Sequence, residues 1–298
     1  MTVRIAHATD IHWFVPPSWG DFAPRRVIGT LNLYARGRRH EFDDQVQDAL
    51  VAHLRSLAPD LVLITGDLTA QALRSEFAKA LKALSPLLDT VPTLILRGNH
   101  DAYTPGAERL RLFANTFGAW SGQADASGVV RVDVGDATVF GLDPNLPSLV
   151  TAVGQVPEAQ LRSLEAQLAD PALDGRSIVL GIHYPPVDRA GVPYDRQPHG
   201  LLNARALLGV LERAPHRPRL IACGHIHHGY KRDLVLSDGA TISVVNCGTS
   251  GHSYQPDRGR AAAMALYTLD GTQLTCDRWV HDGARFVPEP GGAWASGR

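Results

Sequence analysis

The chain has 298 residues, of which 44% are hydrophobic and 20% are charged, as expected for a globular protein. Its formal charge of −1 at pH 7 gives no overall basic surface for nucleic acid. Three cysteines without a CxxC spacing argue against a disulfide framework or a zinc knuckle, so a cytoplasmic location is expected. The first residues turn polar too early for a signal peptide, and no stretch approaches the ~20 apolar residues that span a bilayer.

Apolar runs alternate with helical patterns along the first hundred residues. Strands are predicted over 3–8, 61–65 and 91–96, with amphipathic helices over about 42–57 and 75–88 between them. Right-handed β–α–β crossovers make such strands parallel and place their carboxyl ends at one edge of a sheet. Side chains that follow these strands are therefore expected to meet, although they lie far apart in sequence.

The remainder of the chain is predicted to hold a hairpin, three more helices and five more strands. These are a helix around 107–117, the hairpin over 129–142, helices that begin at Pro157 and after a capping Asn203, and strands over 178–182, 220–223, 241–246, 264–269 and 273–280. We expect one domain over 1–287, with a flexible Gly- and Pro-rich tail over 288–298.

A long insertion over residues 13–40 carries aromatic, proline and arginine residues. Loops of this length are usually functional or mobile, so a substrate lid is expected, with peripheral membrane contact through 25–40 as a further possibility. A cover helix packed on the domain is the alternative. Trp13 is a candidate substrate-binding residue that would stack on a base, although loop packing is the favoured explanation.

Potential metal ligands follow five of the predicted strands. They are Asp10 and His12, Asp67, Asn99, His183, and His225 with His227. Two of these pairs have a two-residue spacing, which in extended backbone places both side chains on one face. Seven oxygen and nitrogen donors are too many for one tetrahedral zinc, and they suit two ions that share a carboxylate.

The same segments resemble the five ordered motifs of the calcineurin-like metallophosphoesterases. The motifs are Asp10-Ile11-His12, Gly66-Asp67, Gly98-Asn99-His100-Asp101, Gly181-Ile182-His183-Tyr184-Pro185-Pro186 and Gly224-His225-Ile226-His227. The resemblance implies an α/β fold, a four-layer α/β/β/α sandwich of two mixed sheets flanked by helices. It also implies a dinuclear centre of Mn, Fe or Zn ions at the strand ends, with a metal-bridging hydroxide that attacks phosphorus.

The resemblance further implies a division of the ligands between two ions. One ion would be held by Asp10, His12 and His227. The other would be held by Asn99, His183 and His225, and Asp67 would bridge the two.

Three other residues in these motifs are candidates for different roles. His100 would lie beside the ions and protonate the leaving alkoxide, or else only fix the Asn99 turn. Asp101 would orient His100 or cap the next turn. Tyr184 would present a hydroxyl to the substrate, where related bacterial enzymes more often have a second histidine.

The expected function is that of a dinuclear metal-dependent phosphohydrolase. Gly154-Gln155-Val156-Pro157 and Gly141-Leu142-Asp143 are similar to the bacterial branch related to cyclic-nucleotide phosphodiesterases. This favours a small nucleotide-like or organic phosphodiester as substrate. A phosphomonoesterase or a nucleotide or lipid pyrophosphatase is the alternative, and a nuclease or a non-enzymatic metal-dependent binding module is less favoured. The sequence carries no signal for an oligomeric state.

Overall fold

Two six-stranded sheets form the centre of the molecule, which a computed structural model describes for residues 1–18, 41–146, 152–291 and 294. The first sheet has the strand order β12-β11-β10-β1-β2-β3, in which β1, β2 and β3 are parallel. Its strands are β1 Val3–Ala8, β2 Leu61–Ile64, β3 Thr93–Ile95, β10 Ala263–Asp270, β11 Gln273–His281 and β12 Phe286–Pro288.

The second sheet has the order β4-β5-β6-β7-β9-β8, with a parallel centre and antiparallel pairs at both edges. Its strands are β4 Val130–Val134, β5 Ala137–Leu142, β6 Ser177–Ile182, β7 Leu220–Cys223, β8 Tyr230–Val235 and β9 Thr241–Asn246. The helices are α1 Asp44–Ser56, α2 Arg74–Leu88, α3 Pro105–Arg109, α4 Leu112–Phe117, α5 Glu158–Gln167 and α6 Ala204–Arg213.

Three groups of buried apolar side chains hold the layers together. The first joins β1, β2 and β3 to helices α1–α4, with Phe77 among its members. The second joins the other sheet to α5 and α6 and includes Leu207. The third lies between the two sheets, where Leu63 of β2 and Val179 of β6 are both fully buried. The four-layer α/β/β/α sandwich expected from the resemblance is therefore confirmed.

The predicted strands and helices are present, with ends shifted by a few residues and with the segment around 107–117 divided into α3 and α4. Two strands were not predicted, because β8 is a polar edge strand and β12 has only three residues. Asn203 does occupy the position before α6, but its side chain does not cap the helix. Instead its amide exchanges hydrogen bonds with the backbone of Val156, at 3.0 and 2.8 Å, and so anchors the segment before α5.

The chain after β12 is packed against the domain where the structure describes it. Glu289 is buried and pairs with Arg278, and the buried Trp294 indole donates a hydrogen bond to the Cys276 carbonyl. The prediction of a flexible tail is therefore wrong for these two residues. Most of the predicted insertion, residues 19–40 with the basic part, lies outside the described residues. Within the described part of the chain, no helix combines the length and the apolar character needed to cross a membrane.

Candidate metal centre

The seven predicted ligands all lie in loops that directly follow parallel strands. Asp10 and His12 follow β1, Asp67 follows β2, Asn99 follows β3, His183 follows β6, and His225 and His227 follow β7. Because the carboxyl ends of these strands lie at one end of the packed sheets, the loops converge. The side chains form two groups that share Asp67.

The first group comprises Asp10, His12, Asp67 and His227, whose candidate ligand atoms all lie within 4.8 Å of one another. His12 Nε2 and His227 Nε2 are 3.2 Å apart, and His227 Nε2 is 3.3 Å from Asp10 Oδ1. Two ring nitrogens and a carboxylate oxygen that converge in this way surround a point where a cation fits.

The second group comprises Asp67, His183 and His225, again with ligand atoms within 4.8 Å of one another. His183 Nε2 lies 3.4 Å from Asp67 Oδ2 and 3.0 Å from Asn99 Oδ1. Asp67 thus belongs to both groups, and Asn99 adjoins the second. This is the grouping that the sequence resemblance implied.

One buried carboxylate oxygen of this cluster lacks a hydrogen-bond donor among the described residues. Asp10 Oδ2 accepts hydrogen bonds from the His225 N–H and the Thr9 hydroxyl, whereas Asp10 Oδ1 is buried and accepts none from any described residue. An uncompensated buried carboxylate oxygen is costly, so a cation at this point would stabilise it. The donor set therefore fits bound metal ions.

Burial and opposite charges shift the pKa values of these side chains in different directions. Burial alone would raise the pKa of Asp67, but His183 and His100 hold it well below its ordinary value. Burial would lower the pKa of His183, but the Asp67 carboxylate raises it to about 9. Burial, with smaller contributions from neighbouring histidines, lowers the pKa of both His12 and His225 to about 3, so these rings are neutral at pH 7. Neutral imidazole is the form that binds a metal.

Hydrogen bonds to backbone carbonyls fix the ligand rings. His12 Nδ1 donates to the Thr69 carbonyl at 3.2 Å, and His183 Nδ1 donates to the Thr65 carbonyl at 2.7 Å. His225 Nε2 donates to the His199 carbonyl at 2.9 Å. Since a carbonyl can only accept, these nitrogens carry the hydrogen, and the opposite ring nitrogen is the one that would face a metal.

The backbone of the ligand loops differs from the expectation of extended pairs. Asp10 and His12 have φ angles of 52° and 55°, and His225 and His227 have 74° and 56°, all in the left-handed region. The argument that extended backbone places each pair on one face is therefore wrong. The left-handed conformation costs about 1–2 kcal/mol for a residue with a Cβ, and such strain is characteristic of functional sites.

Glycines allow these loops to pack directly on one another. A Cβ on Gly98 would lie 2.2 Å from Asp67 Oδ1 and 2.3 Å from the Asp67 nitrogen. A Cβ on Gly224 would lie 2.5 Å from Asp10 Oδ2. Gly98 and Gly224 therefore each leave room for a ligand carboxylate from a neighbouring loop.

His100 lies beside the ligands in a fixed orientation. Its Nδ1 donates to the Ala70 carbonyl at 2.6 Å, and its ring stacks on Tyr103 with 5.4 Å between centroids. Its backbone N–H donates to Asp67 Oδ1 at 2.8 Å, which positions the shared carboxylate. The His100 ring also meets His12 edge to face, at 4.8 Å.

Asp101 does not face the substrate side of this site. It is buried and accepts hydrogen bonds from the backbone N–H groups of Gly98 and Thr69, at 3.0 and 2.9 Å, and from the Thr69 hydroxyl at 3.1 Å. Burial and the Asp67 carboxylate raise the pKa of Asp101 to about 6. These hydrogen bonds tie the Gly98 turn to the loop after β2, which is a positioning role.

The two residues predicted to bind substrate are both buried. Trp13 is 1% exposed within the first apolar group, so it has no face available for a base. Tyr184 is also 1% exposed, and its ring packs 4.2 Å from the His225 ring and against the backbone of Gly154. Tyr184 therefore supports a ligand from behind. Packing of this kind depends on tertiary contacts that a single sequence does not encode locally.

A cavity of about 680 Å³ opens onto the ligand cluster. Besides ligands and His100, it is lined by Arg189, Tyr194 and His228, none of which the sequence reasoning selected. Phe42 was missed as well, although its ring packs 4.6 Å from that of His12. No motif or spacing marks these residues as part of the site, because they reach it only through the fold.

Comparison with known proteins places the chain in a family. A model of the calcineurin-like phosphoesterases matches residues 3–229. The chain belongs to this family. A probable glycerophosphodiester phosphodiesterase GpdQ from Arcobacter nitrofigilis is 30% identical over 234 residues, which are 78% of each chain. That relative is consistent with the phosphodiesterase branch indicated by the motifs.

Solved structures share the fold at low sequence identity. A dimetal phosphatase from Danio rerio matches with a TM-score of 0.62 and 16% identity, covering 96% of this chain and 98% of its own. Purple acid phosphatase PPD1 from yellow lupin (Lupinus luteus) matches with a TM-score of 0.57 and 14% identity, covering 97% of this chain and 53% of its own. With its family and its two ligand groups, the chain is a metal-dependent phosphoesterase with a dinuclear centre.

The close packing of the ligand loops predicts the effect of adding one methyl group. Gly98→Ala should weaken metal binding by about 10- to 100-fold, because the new Cβ displaces the Asp67 carboxylate. Metal content after gel filtration, measured by mass spectrometry, provides the readout. Gly118→Ala is the matched control, since its Cβ would meet nothing within 4 Å. Equal metal content in the two variants would contradict this account of the loop packing.

Proposed function

We propose that the protein hydrolyses small phosphodiesters at this centre. The observation that carries the proposal is the pair of ligand groups joined through Asp67. The relative named as a glycerophosphodiester phosphodiesterase supports a diester as the substrate class, with glycerol diesters among the compounds to test. The cavity of about 680 Å³ is in the range of small-molecule sites.

The proposed ligand assignment follows the two groups. Asp10, His12 and His227 hold one ion, Asn99, His183 and His225 hold the other, and Asp67 contacts both. When bound, two such ions neutralise charge on the phosphate and make a water acidic enough to attack phosphorus near neutral pH. Ligation by mixed oxygen and nitrogen donors is compatible with Mn, Fe or Zn, and the availability of each metal decides which one is bound.

His100 is the proposed proton donor. Because its Nδ1 hydrogen is committed to the Ala70 carbonyl, the proton that it transfers is the one on Nε2 of the imidazolium. The stacked Tyr103 ring and the Ala70 carbonyl hold that ring beside the cavity. His100 thus delivers its Nε2 proton to the oxygen of the departing alcohol, while Asp101 fixes the turn that carries it.

We also propose that the protein works in a reducing compartment such as the cytoplasm. Cys223, Cys247 and Cys276 are all free and buried. Burial raises the pKa of the Cys247 thiol to about 12, which makes it inert as a nucleophile. Membrane contact through 25–40 concerns residues outside the described part of the chain.

A pair of p-nitrophenyl esters tests the diesterase assignment. After loading with Mn²⁺, the protein should hydrolyse bis-p-nitrophenyl phosphate with a higher kcat/KM than p-nitrophenyl phosphate. Asp67→Asn should abolish turnover of both esters with the fold retained by circular dichroism, whereas Asp48→Asn, an exposed carboxylate of α1, should not. A preference for the monoester would make the protein a phosphomonoesterase, and no turnover of either ester would refute the proposed function.

The role of His100 predicts a dependence on the leaving group. His100→Asn should lower kcat by about 10²- to 10⁴-fold for a diester with an alkyl alcohol as leaving group. The loss should be far smaller for p-nitrophenolate, because this leaving group departs without protonation. His216→Asn, remote from the cluster and beside Asp174, is the matched control. Equal losses of kcat for the two leaving groups would exclude the proton-donor role.

A further inference from the structure

A second cavity, of about 580 Å³, adjoins the one over the ligand cluster. Arg189, His227 and His228 line both cavities, so the two are adjacent, and we call them together the groove. One end of the groove holds the metal ligands. The other end is lined by Arg258, Arg260 and residues that neither the motifs nor the proposed reaction use.

The far end of this groove carries an excess of positive charge. Of its four arginines, Arg260 pairs with Glu41 at 3.1 Å and Arg278 pairs with the buried Glu289. Arg189 and Arg258 form no ion pair with any residue that the structure describes, and both are exposed. Glu41 is the one carboxylate among the described residues that line this end, so the lining carries more cationic than anionic side chains.

Two of these arginines, Arg258 and Arg260, lie on one hydrogen-bonded turn. The backbones of Gln255 and Arg260 exchange two hydrogen bonds, at 2.8 and 3.0 Å, across a short turn. Gly259 completes the turn at a φ of 61°, which separates Arg258 from Arg260 by one residue. Both arginines line the cavity on this turn.

The base of the cavity is rigid as well. Arg278 is 9% exposed and its guanidinium packs under the backbone of two glycines, where a Cβ on Gly229 would lie 2.7 Å away. It also donates to the Cys247 carbonyl at 3.2 Å and lies over the Trp294 ring. Arg278 thereby fixes the backbone just after His227. The distance between the two ends of the groove is fixed by the same contacts.

We propose that the cationic end of the groove binds a second phosphate group of the substrate. The substrate is then a small phosphodiester that carries a phosphate on one of its alcohol arms, with the scissile diester at the metal ligands. Arginine binds phosphate through two parallel hydrogen bonds, and a groove with unbalanced positive charge concentrates such anions. The proposal rests on the proposed function, because it names the substrate class of the same site.

Two esters that differ only by one phosphate test this subsite. They are the p-nitrophenyl ester of thymidine 5′-phosphate and the same compound with a 3′-phosphate, so the scissile bond and leaving group are identical. The Mn²⁺-loaded protein should hydrolyse the 3′-phosphorylated ester with a kcat/KM about tenfold higher, chiefly through a lower KM. Equal kcat/KM values for the two esters would overturn the proposal.

Charge-removing variants locate the effect. Arg258→Gln should reduce the preference for the 3′-phosphorylated ester to nearly one, and Arg189→Gln should reduce it in part. Arg162→Gln, an exposed arginine of α5 outside the groove, should keep the wild-type preference. A preference that survives in Arg258→Gln and Arg189→Gln together would overturn the assignment.

A further experiment distinguishes a small-molecule substrate from a nucleic acid that presents the second phosphate. A single-stranded oligothymidylate carries the same phosphates within a strand. It should be cleaved with a lower kcat/KM than the 3′-phosphorylated ester. Faster cleavage of the oligonucleotide would overturn the small-molecule assignment in favour of a nucleic acid substrate.

A binding measurement separates failure of the subsite from failure of the proposed function. If the loaded protein hydrolyses neither ester nor bis-p-nitrophenyl phosphate, the proposed function fails. Calorimetric titration with thymidine 3′,5′-bisphosphate and thymidine 5′-phosphate then decides the subsite without turnover. Tighter binding of the bisphosphate that is lost in Arg258→Gln supports the subsite, and equal affinities overturn it.

Discussion

Two buried carboxylates, Asp10 and Asp67, set the main electrostatic constraint on this fold. Each is at most 1% exposed, and each raises the pKa of His183 toward a charged imidazolium. Two neighbouring carboxylates that are both buried and ionised are stable only beside positive charge. The surrounding histidines supply part of it, and the geometry leaves room for metal ions to supply the rest. The five loops that carry the ligands are shaped by this requirement.

The fold meets the requirement by bringing together the carboxyl ends of parallel strands from the two sheets. Left-handed backbone at the ligand positions and glycines at the turns let the loops pack with their carboxylates between them. Residues behind the ligands, such as Tyr184 and Asp101, hold rings and turns in place through packing and hydrogen bonds. The groove beyond His227 then extends the same rigid frame to a set of arginines that fit an anion.

The ligands could be predicted from sequence because their chemistry restricts them to a few residue types after strands. Asp67 as the shared ligand followed from the resemblance, and the geometry groups it with both sets. The strand β8 could not be predicted, since Tyr-Lys-Arg-Asp-Leu-Val lacks a clear apolar alternation. The burial of Trp13 and the contact of Phe42 with His12 arise from tertiary packing, which local patterns do not report.

The central claim is that Asp67 joins two metal sites, and the magnetic coupling between bound ions tests it most directly. Protein loaded with Mn²⁺ is predicted to bind two ions per chain. Its electron paramagnetic resonance spectrum should show the multiline signal of an exchange-coupled pair, as expected for ions about 3.5–4 Å apart. One ion per chain, or two ions with the six-line spectrum of isolated Mn²⁺, would contradict the account.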